Sequence, residues 1–327
     1  MLAAACQTVS SGPAVVDPVL KSIGTVADPF VIDAPIGFGF TKEYLYTTTS
    51  LGKNVPTLKR NIYGGWDDPT DALPTLPGWA QADTVWAPEV IHLPSRPPTS
   101  SFVLYFAAKH VSHNVHCLGV GTAATAQGPF TALAQPLSCQ TDCGSIDPNP
   151  FVAPGGTLYL AWKWDGQACG PNVINRIHAV QMSSDGLSTV GADSILLEAD
   201  PSTWEGYNIE APEMYLRNGV LHFFYAGGQH WNGSYAEGRA ICAAPLGPCA
   251  RTATGPLITS GGAFCGPGHG APFTTPEGLS KFVFHAYESC SGGQPTAGAG
   301  RKLFEADLCW DGAQPATQAN GEHGCLP

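Results

Sequence analysis

The strongest constraint on the fold is a short pattern that occurs five times along the 327-residue chain. In each copy a polar, mostly ionisable residue lies close to a proline and an apolar residue. The copies are anchored on Asp28, Glu89, Asp147, Glu210 and His269, at steps of 61, 58, 63 and 59 residues. Each anchor precedes, by 11 to 16 residues, an aromatic run typical of a buried strand. This repeat of short strands and Gly/Pro turns predicts an all-β, five-bladed β-propeller with one repeat per blade.

The predicted propeller brings the five anchors together. If each anchor ends the loop that enters the innermost strand of its blade, all five side chains converge on the central axis at one face. Ionisable groups from distant parts of the chain would then share a single shallow funnel. An acid beside a proline is ordinary turn chemistry when it occurs once. Five copies in near register favour a shared site.

The repeat also predicts the domain organisation. A chain of this length often forms two domains, but closed all-β folds of similar size commonly form one. Because the repeat extends over almost the whole chain, we interpret residues 21–327 as a single propeller domain and residues 1–20 as an N-terminal lead-in. The 39 glycines and 29 prolines fit the many tight turns of such a fold.

The cysteines indicate an oxidising environment. Eleven cysteines without metal-binding spacing are too many for a reduced cytosolic protein, so we expect a secreted, extracellular protein. Spacing alone leaves the connectivity open, and with an odd count at least one thiol is free or paired elsewhere. Four pairs are close enough in sequence to form bridges: Cys139/Cys143, Cys242/Cys249, Cys265/Cys290 and Cys309/Cys325.

The charge of the chain bears on its partners. A formal net charge of -11 argues against nucleic acid or an anionic membrane, because both require clustered Lys and Arg. No apolar run approaches the length needed to span a membrane. We therefore expect a neutral partner and no binding to nucleic acid or membrane. The protein is also expected to be a monomer.

Convergent carboxylates suit one reaction in particular. Hydrolysis of a glycosidic bond needs one carboxylic acid to protonate the leaving oxygen and one carboxylate to activate water, and separations of about 6.5–9.5 Å favour inversion. Blades on opposite sides of a small funnel could provide that gap. A third carboxylate near the acid would raise its pKa and keep it protonated near neutral pH.

The anchors also carry a family resemblance that covers nearly the whole chain. In order and spacing, the chain resembles glycoside hydrolase family 43. The resemblance implies a five-bladed propeller that inverts the anomeric centre and acts on arabinose- or xylose-containing plant polysaccharides. The motifs are Ala27-Asp28-Pro29, Trp86-Ala87-Pro88-Glu89, Ser145-Ile146-Asp147-Pro148, Glu210-Ala211-Pro212 and Gly266-Pro267-Gly268-His269.

The resemblance also implies roles for the anchors. Asp28 becomes the general base, Glu210 the general acid, and Asp147 the residue that modulates the pKa of the acid and orients the sugar. His269 matches an axial histidine that often lies at a calcium or water-filled site, so a calcium ion in the central channel is expected. Arg301 matches an arginine that often reaches the modulator carboxylate and the sugar.

One departure from the family pattern concerns the acid motif. The residue after Pro212 is Glu213, where the family usually has histidine. Two glutamates three positions apart on a strand face opposite sides. Glu210 keeps the acid role because it directly precedes the small residue and the proline. For Glu89 a structural role is the preferred interpretation.

Aromatic residues supply candidate sugar contacts. Trp66, Trp86 and Trp162 are predicted to bind substrate, although tryptophans can equally pack between blades. The long loop around Trp66 is predicted to be a wall of the funnel, which favours an exo-acting α-L-arabinofuranosidase. A β-xylosidase or an endo-1,5-α-L-arabinanase would use the same catalytic residues. A propeller that binds carbohydrate without cleaving it is the alternative from another class.

Overall fold

The computed structural model describes residues 25–261, 264–311 and 314–315, and these form an all-β, five-bladed propeller. The lead-in predicted for residues 1–20 lies outside the described residues. Within those residues, no helix is long and apolar enough to cross a membrane.

Each of the first four blades is a four-stranded antiparallel sheet. Blade 1 contains β1 (Phe30–Gly37), β2 (Phe40–Tyr46), β3 (Pro56–Lys59) and β4 (Thr70–Asp71). Blade 2 contains β5 (Trp86–His92), β6 (Phe102–Lys109), β7 (His116–Ala123) and β8 (Thr131–Ala132). Blade 3 contains β9 (Ser145–Val152), β10 (Leu158–Trp164), β11 (Arg176–Met182) and β12 (Thr189–Glu198). Blade 4 contains β13 (Ile209–Arg217), β14 (Val220–Gly227), β15 (Ala236–Cys242) and β16 (Cys249–Arg251).

The described part of blade 5 has three strands and two small hairpins. Its sheet contains β17 (Cys265–Thr274), β18 (Ser280–Tyr287) and β21 (Lys302–Asp307). The hairpins pair β19 (Cys290–Ser291) with β20 (Gln294–Pro295) and β22 (Trp310–Asp311) with β23 (Gln314–Pro315). A 3-10 turn at Pro98–Ser100 and a one-turn helix, α1 (Gly166–Cys169), complete the described elements.

The innermost strands close the ring of blades. Contacts join β1 to β5, β5 to β9, β9 to β13, β13 to β17 and β17 back to β1. The aromatic runs form the second strands, and alternate residues of such a strand pack on opposite neighbours. In β6, Phe102, Leu104 and Phe106 belong to the core shared with blade 1. Val103 and Tyr105 belong to the core shared with blade 3. A second strand reads as continuously apolar because both of its faces are buried.

Every anchor motif contains one residue in the left-handed backbone region. These residues are Asp28, Ala87, Asp147, Ala211 and His269, with φ between 43° and 57°. The ladders of β5, β9, β13 and β17 shift register at the same positions. A bulge of this kind redirects side chains, and an edge proline fits there because it has no N–H to donate. The repeat is therefore a recurring bulge at the axis.

The bulges divide the axial side chains into two layers. The upper layer contains Asp28, Asp147, Glu210 and His269. The lower layer lies two residues beyond the left-handed position and contains Glu89, Asn149 and Glu213, all of them buried. Glu89 was predicted to converge with the other anchors, and that prediction is wrong. Its blade places Ala87 at the left-handed position, so the carboxylate is carried into the lower layer.

Four disulfides lie within the described residues: Cys117–Cys139, Cys143–Cys169, Cys242–Cys249 and Cys265–Cys290. Two of the predicted pairs are thereby confirmed. The predicted Cys139/Cys143 pair is wrong, because each of these cysteines is bonded to a different partner. Cys309 is disulfide-bonded, and Cys325 lies outside the described residues.

Candidate active site

The upper layer opens into a cavity of about 590 Å³ at the face where the innermost strands begin. Asp28, Asp147, Glu210 and His269 all line it. Blades 1, 3, 4 and 5 thus each contribute one polar axial side chain to the same space. The predicted convergence is met by four of the five anchors.

Asp28 lies among cationic and hydrogen-bonding groups. Its Oδ1 is 3.2 Å from His269 Nδ1 and 3.3 Å from Arg301 Nη1. The Thr48 hydroxyl donates to its Oδ2, and its backbone N–H donates to His285 Nδ1 at 3.1 Å. Burial by itself would raise the pKa of Asp28, but His269 and Arg301 outweigh it and hold the pKa below the usual value. Asp28 is therefore an ionised carboxylate, which suits it to accept a proton.

Asp147 has the opposite electrostatic environment. Its Oδ2 accepts a hydrogen bond from the Ala211 N–H at 2.9 Å. Burial raises the pKa of Asp147 to about 6, with the charge of Glu210 adding to the rise and His269 opposing it. Below that pH the Asp147 carboxyl carries a proton.

Glu210 is held by two donors. Lys163 Nζ lies 2.8 Å from its Oε2, and the Tyr235 hydroxyl donates to its Oε1 at 2.7 Å. Burial alone would raise the pKa of Glu210, but Lys163 and His230 reverse the shift and lower it. A neighbouring carboxylate was expected to keep Glu210 protonated. In the free protein the charge on Lys163 prevails instead, and Asp147 is the carboxyl with the raised pKa.

Of the four residues predicted to contact the sugar, two line the cavity and two do not. Trp86 lines the cavity, is 38% exposed, and stacks on the half-buried ring of His116 at 3.8 Å between centroids. Arg301 also lines the cavity. The carboxylate that Arg301 contacts is that of Asp28, rather than the Asp147 carboxylate expected from the resemblance.

Trp66 and Trp162 do not reach the cavity, so their predicted roles in binding substrate are corrected. Trp66 is 2% exposed and belongs to the core around blades 1 and 5, with the Arg60 guanidinium 4.1 Å from its ring centre. Trp162 is 5% exposed and packs between blades 2 and 3, where its Nε1 donates to Gln140. Since no residue of 60–69 lines the cavity, the predicted wall around Trp66 is also wrong.

Several residues of the cavity were not anticipated from the sequence. Alternation offered a signal for one of them. A polar residue interrupts a buried run at Lys163 in β10. No comparable signal marks Thr48 or His230, which lie in loops and line the cavity, as Trp231 also does. Trp231 is 54% exposed there.

A calcium ion at His269 was expected from the resemblance. His269 Nδ1 faces the Asp28 carboxylate, which already contacts Arg301 and Thr48. Across residues 25–261 and 264–311, no group of three or more His, Cys, Asp or Glu side chains is arranged to hold a metal. These residues do not fit the expected ligand set, and calcium stays a prediction that metal analysis of the purified protein would check.

The lower layer leads to a second cavity, of about 730 Å³, at the opposite end of the axis. Asn149 Nδ2 donates to Glu89 Oε2 at 2.9 Å and to Glu213 Oε2 at 2.8 Å. Burial raises the pKa of Glu89 to about 8 and raises that of Glu213 as well. The preferred structural interpretation of Glu89 agrees with this closed arrangement.

A five-bladed propeller with buried carboxylates converging on one axial cavity has the architecture of a glycoside hydrolase. The sequence model of the family described as "Glycosyl hydrolases family 43" matches residues 18–313. The chain belongs to this family of inverting glycosidases, whose members act on plant polysaccharides.

Solved structures support the same fold. A thermostable family-43 glycoside hydrolase shares 21% identity, with a TM-score of 0.79 over 98% of each chain. An endo-1,4-beta-xylanase from Bacteroides thetaiotaomicron shares 28% identity, with a TM-score of 0.69 over 88% of this chain and 91% of that one. An alpha-L-arabinofuranosidase from Lactobacillus brevis shares 20% identity, with a TM-score of 0.71 over 92% and 95%. No curated protein sequence matches the chain.

Proposed function

We propose that this protein is an exo-acting α-L-arabinofuranosidase that hydrolyses arabinose-containing plant polysaccharide. The supporting observation is that Asp28, Asp147 and Glu210 line one cavity in unlike electrostatic environments. Pairs of acids whose pKa values are pushed apart are what acid and base catalysis by carboxyls requires.

The proposed roles follow from these environments. Asp28 takes a proton from a water molecule, whose oxygen forms a bond to the anomeric carbon. The bond from that carbon to the leaving oxygen breaks, and Glu210 transfers its proton to that oxygen. Before the reaction begins, the Asp147 and Glu210 carboxyls together must hold one proton. Asp147 modulates how readily Glu210 loses it. One displacement at the anomeric carbon inverts its configuration.

The shape of the cavity supports action on a chain end. Gln167, Ala168 and Pro171 line one side of the cavity, and the Cys143–Cys169 disulfide ties this segment to the blade. Gln167 Nε2 donates to Gln229 Oε1 at 3.2 Å, which joins the segment to the loop carrying Trp231. Two joined loops on one side of an axial cavity favour a terminal sugar over the middle of a polymer.

A second candidate is a β-xylosidase or another xylan-directed activity. It is favoured by one observation, the 28% identity to the endo-1,4-beta-xylanase from Bacteroides thetaiotaomicron. An endo-1,5-α-L-arabinanase would use the same three carboxyls, but the joined loops argue against binding along a polymer. In a carbohydrate-binding propeller without activity, the same cavity would hold a sugar unchanged.

Turnover of nitrophenyl α-L-arabinofuranoside, β-D-xyloside and β-D-galactoside, measured beside linear arabinan, tests the proposal. We expect the arabinofuranoside to be cleaved fastest, and NMR to show the inverted anomer first. Preference for the xyloside would favour the second candidate. Binding of the sugars without any cleavage, equal in wild type and Asp28→Asn, would favour the carbohydrate-binding alternative.

We also propose that the protein is secreted and monomeric. The four disulfides support an oxidising compartment. Thiol titration of the protein from its native source and its mass in solution check the two points separately.

A further inference from the structure

Lys163 is a buried cation to which the proposed reaction gives no role. It is 1% exposed and lies in β10. Tyr159, Ala161 and Lys163 alternate along that strand, and the first two pack in the core shared with blade 4. The same alternation points Lys163 toward blade 4, at the height where the bulge of β9 breaks the register between Ala161 and Lys163. The position is thus fixed by the strand and by the bulge.

The surroundings of the ammonium group satisfy it fully. Lys163 Nζ lies 2.8 Å from Glu210 Oε2, 3.2 Å from Asp165 Oδ1 and 3.4 Å from Gln167 Oε1. Three acceptors match the three hydrogens of an ammonium group. A cation this deeply buried is stable only with such partners. Lys163 therefore remains charged beside Glu210.

Other groups also face the Glu210 carboxyl. Tyr235 immediately precedes β15, and its hydroxyl donates a hydrogen bond to Glu210 Oε1 at 2.7 Å. The His230 imidazole and the Asp147 carboxyl also act on it from the β14 end and from β9. His269 and Asp28 act in turn on Asp147. Of these groups, only Lys163 combines a fixed positive charge with direct contact to Glu210.

We propose that Lys163 is a positioning residue for the acid of the reaction: its ammonium group fixes the Glu210 carboxyl and sets the pH above which activity is lost. This inference rests on the proposed function, because it gives Glu210 the role of proton donor. Lys163 acts through Glu210 and does not itself transfer the proton. The charge restricts activity to acidic pH, since an adjacent cation favours the ionised carboxyl.

The test is the pH profile of kcat/KM for Lys163→Met, which removes the charge and keeps the unbranched side chain up to the position of Cε. We expect the alkaline limb to move up by about 1–3 pH units, the range by which an adjacent opposite charge shifts a carboxyl. Lys163→Arg keeps the charge and should leave the limb close to that of the wild type. Lys281→Met is the matched control, because Lys281 pairs with Asp307 outside the cavity.

A second measurement does not depend on turnover. The carboxyl of Glu210 is titrated by carbon-13 NMR in wild type and Lys163→Met, with Glu210→Gln assigning the signal, and the midpoint should rise in the variant. Should Lys163→Met fail to fold, Lys163→Gln decides, because it also removes the charge while keeping a hydrogen-bond donor, and the midpoint should rise there as well. An unchanged midpoint and an unchanged alkaline limb in the folded variants would overturn the inference. A raised midpoint in a protein that cleaves no glycoside would instead overturn the proposed function.

Discussion

The upper and lower layers of the axis both contain buried carboxyls, and β9 and β13 each contribute one residue to either layer, but the neighbours of the carboxyls differ. In the upper layer, Asp28 contacts Arg301 and Glu210 contacts Lys163. In the lower layer, Glu89 and Glu213 share the neutral amide of Asn149. A nearby cation overcomes the cost of burying a carboxylate, whereas a neutral donor does not. Neighbours, rather than burial, decide which acids can take part in chemistry.

The largest expected difference between the layers is in catalysis. Asp28→Asn and Glu210→Gln should each lower kcat/KM by at least about 10²-fold, because a positioned acid or base contributes at least that much. Glu213→Gln, in the lower layer, should change it by less than about threefold. Activity assays on variants with matched thermal unfolding curves make the comparison. Normal activity in both upper-layer variants would contradict the assigned roles.

The two layers should also titrate at different pH. Activity should fall above about pH 6, where Asp147 releases the proton that it shares with Glu210. Stability should fall over a wider range, from about pH 4.5 to about pH 8, because of Glu89, whose pKa is about 8 in the folded protein against an ordinary 4.5. Between these values the folded state binds more protons than the unfolded chain, so unfolding becomes easier as the pH rises, by about 1.4 kcal/mol per unit of pKa difference.

Thermal unfolding measured from pH 4.5 to pH 9 tests the expected loss of stability. Glu89→Gln should flatten the decline, since an amide does not titrate. A wild-type midpoint that rises over the same range would show that the lower layer is not a closed, protonated cluster.

The amide that holds the lower layer can be removed directly. Asn149→Ala leaves the Glu89 and Glu213 carboxyls without their shared donor, and should lower the free energy of unfolding by about 2–4 kcal/mol. Urea unfolding at pH 5 measures the loss, with Glu213→Gln as the control that keeps hydrogen-bonding capacity. Equal stability of Asn149→Ala and the wild type would mean that water replaces the amide.

The last comparison concerns two tryptophans, one that lines the upper cavity and one that is buried between blades. Trp86→Ala should raise KM about tenfold with little change in kcat, because losing one aromatic contact to a sugar costs roughly 1–2 kcal/mol. Trp162→Ala should instead lower stability by about 3–5 kcal/mol, as for a buried aromatic side chain. Steady-state kinetics and unfolding curves separate the two outcomes. A raised KM in a stable Trp162→Ala variant would restore its predicted role in binding.

Much of the site could be predicted from the sequence, but its layering could not. In the sequence motifs, Glu89 and Glu210 correspond to Asp147. By backbone conformation, however, the residues that correspond to Asp147 are Ala87 and Ala211, which share its positive φ. At a bulge, the place relative to the left-handed residue decides the layer: Glu210, one residue before Ala211, stays in the upper layer, whereas Glu89, two residues after Ala87, lies in the lower one. The fifth copy shows how packing governs this backbone. A Cβ at Gly270 would lie 2.2 Å from the Phe282 ring, so glycine takes the position that proline holds in the other blades.

The sequence by itself determined the number of blades, the all-β architecture and the chain positions of Asp28, Asp147 and Glu210, because a repeat of about 60 residues and its strand pattern are local properties. Only the tertiary structure decided which face of β10 meets a neighbouring blade, and therefore that Lys163 contacts the cavity while Trp162 is buried. It also decided which carboxyls are ionised. Those outcomes depend on distances between blades, and side chains from different blades acquire their charged neighbours only when the ring closes.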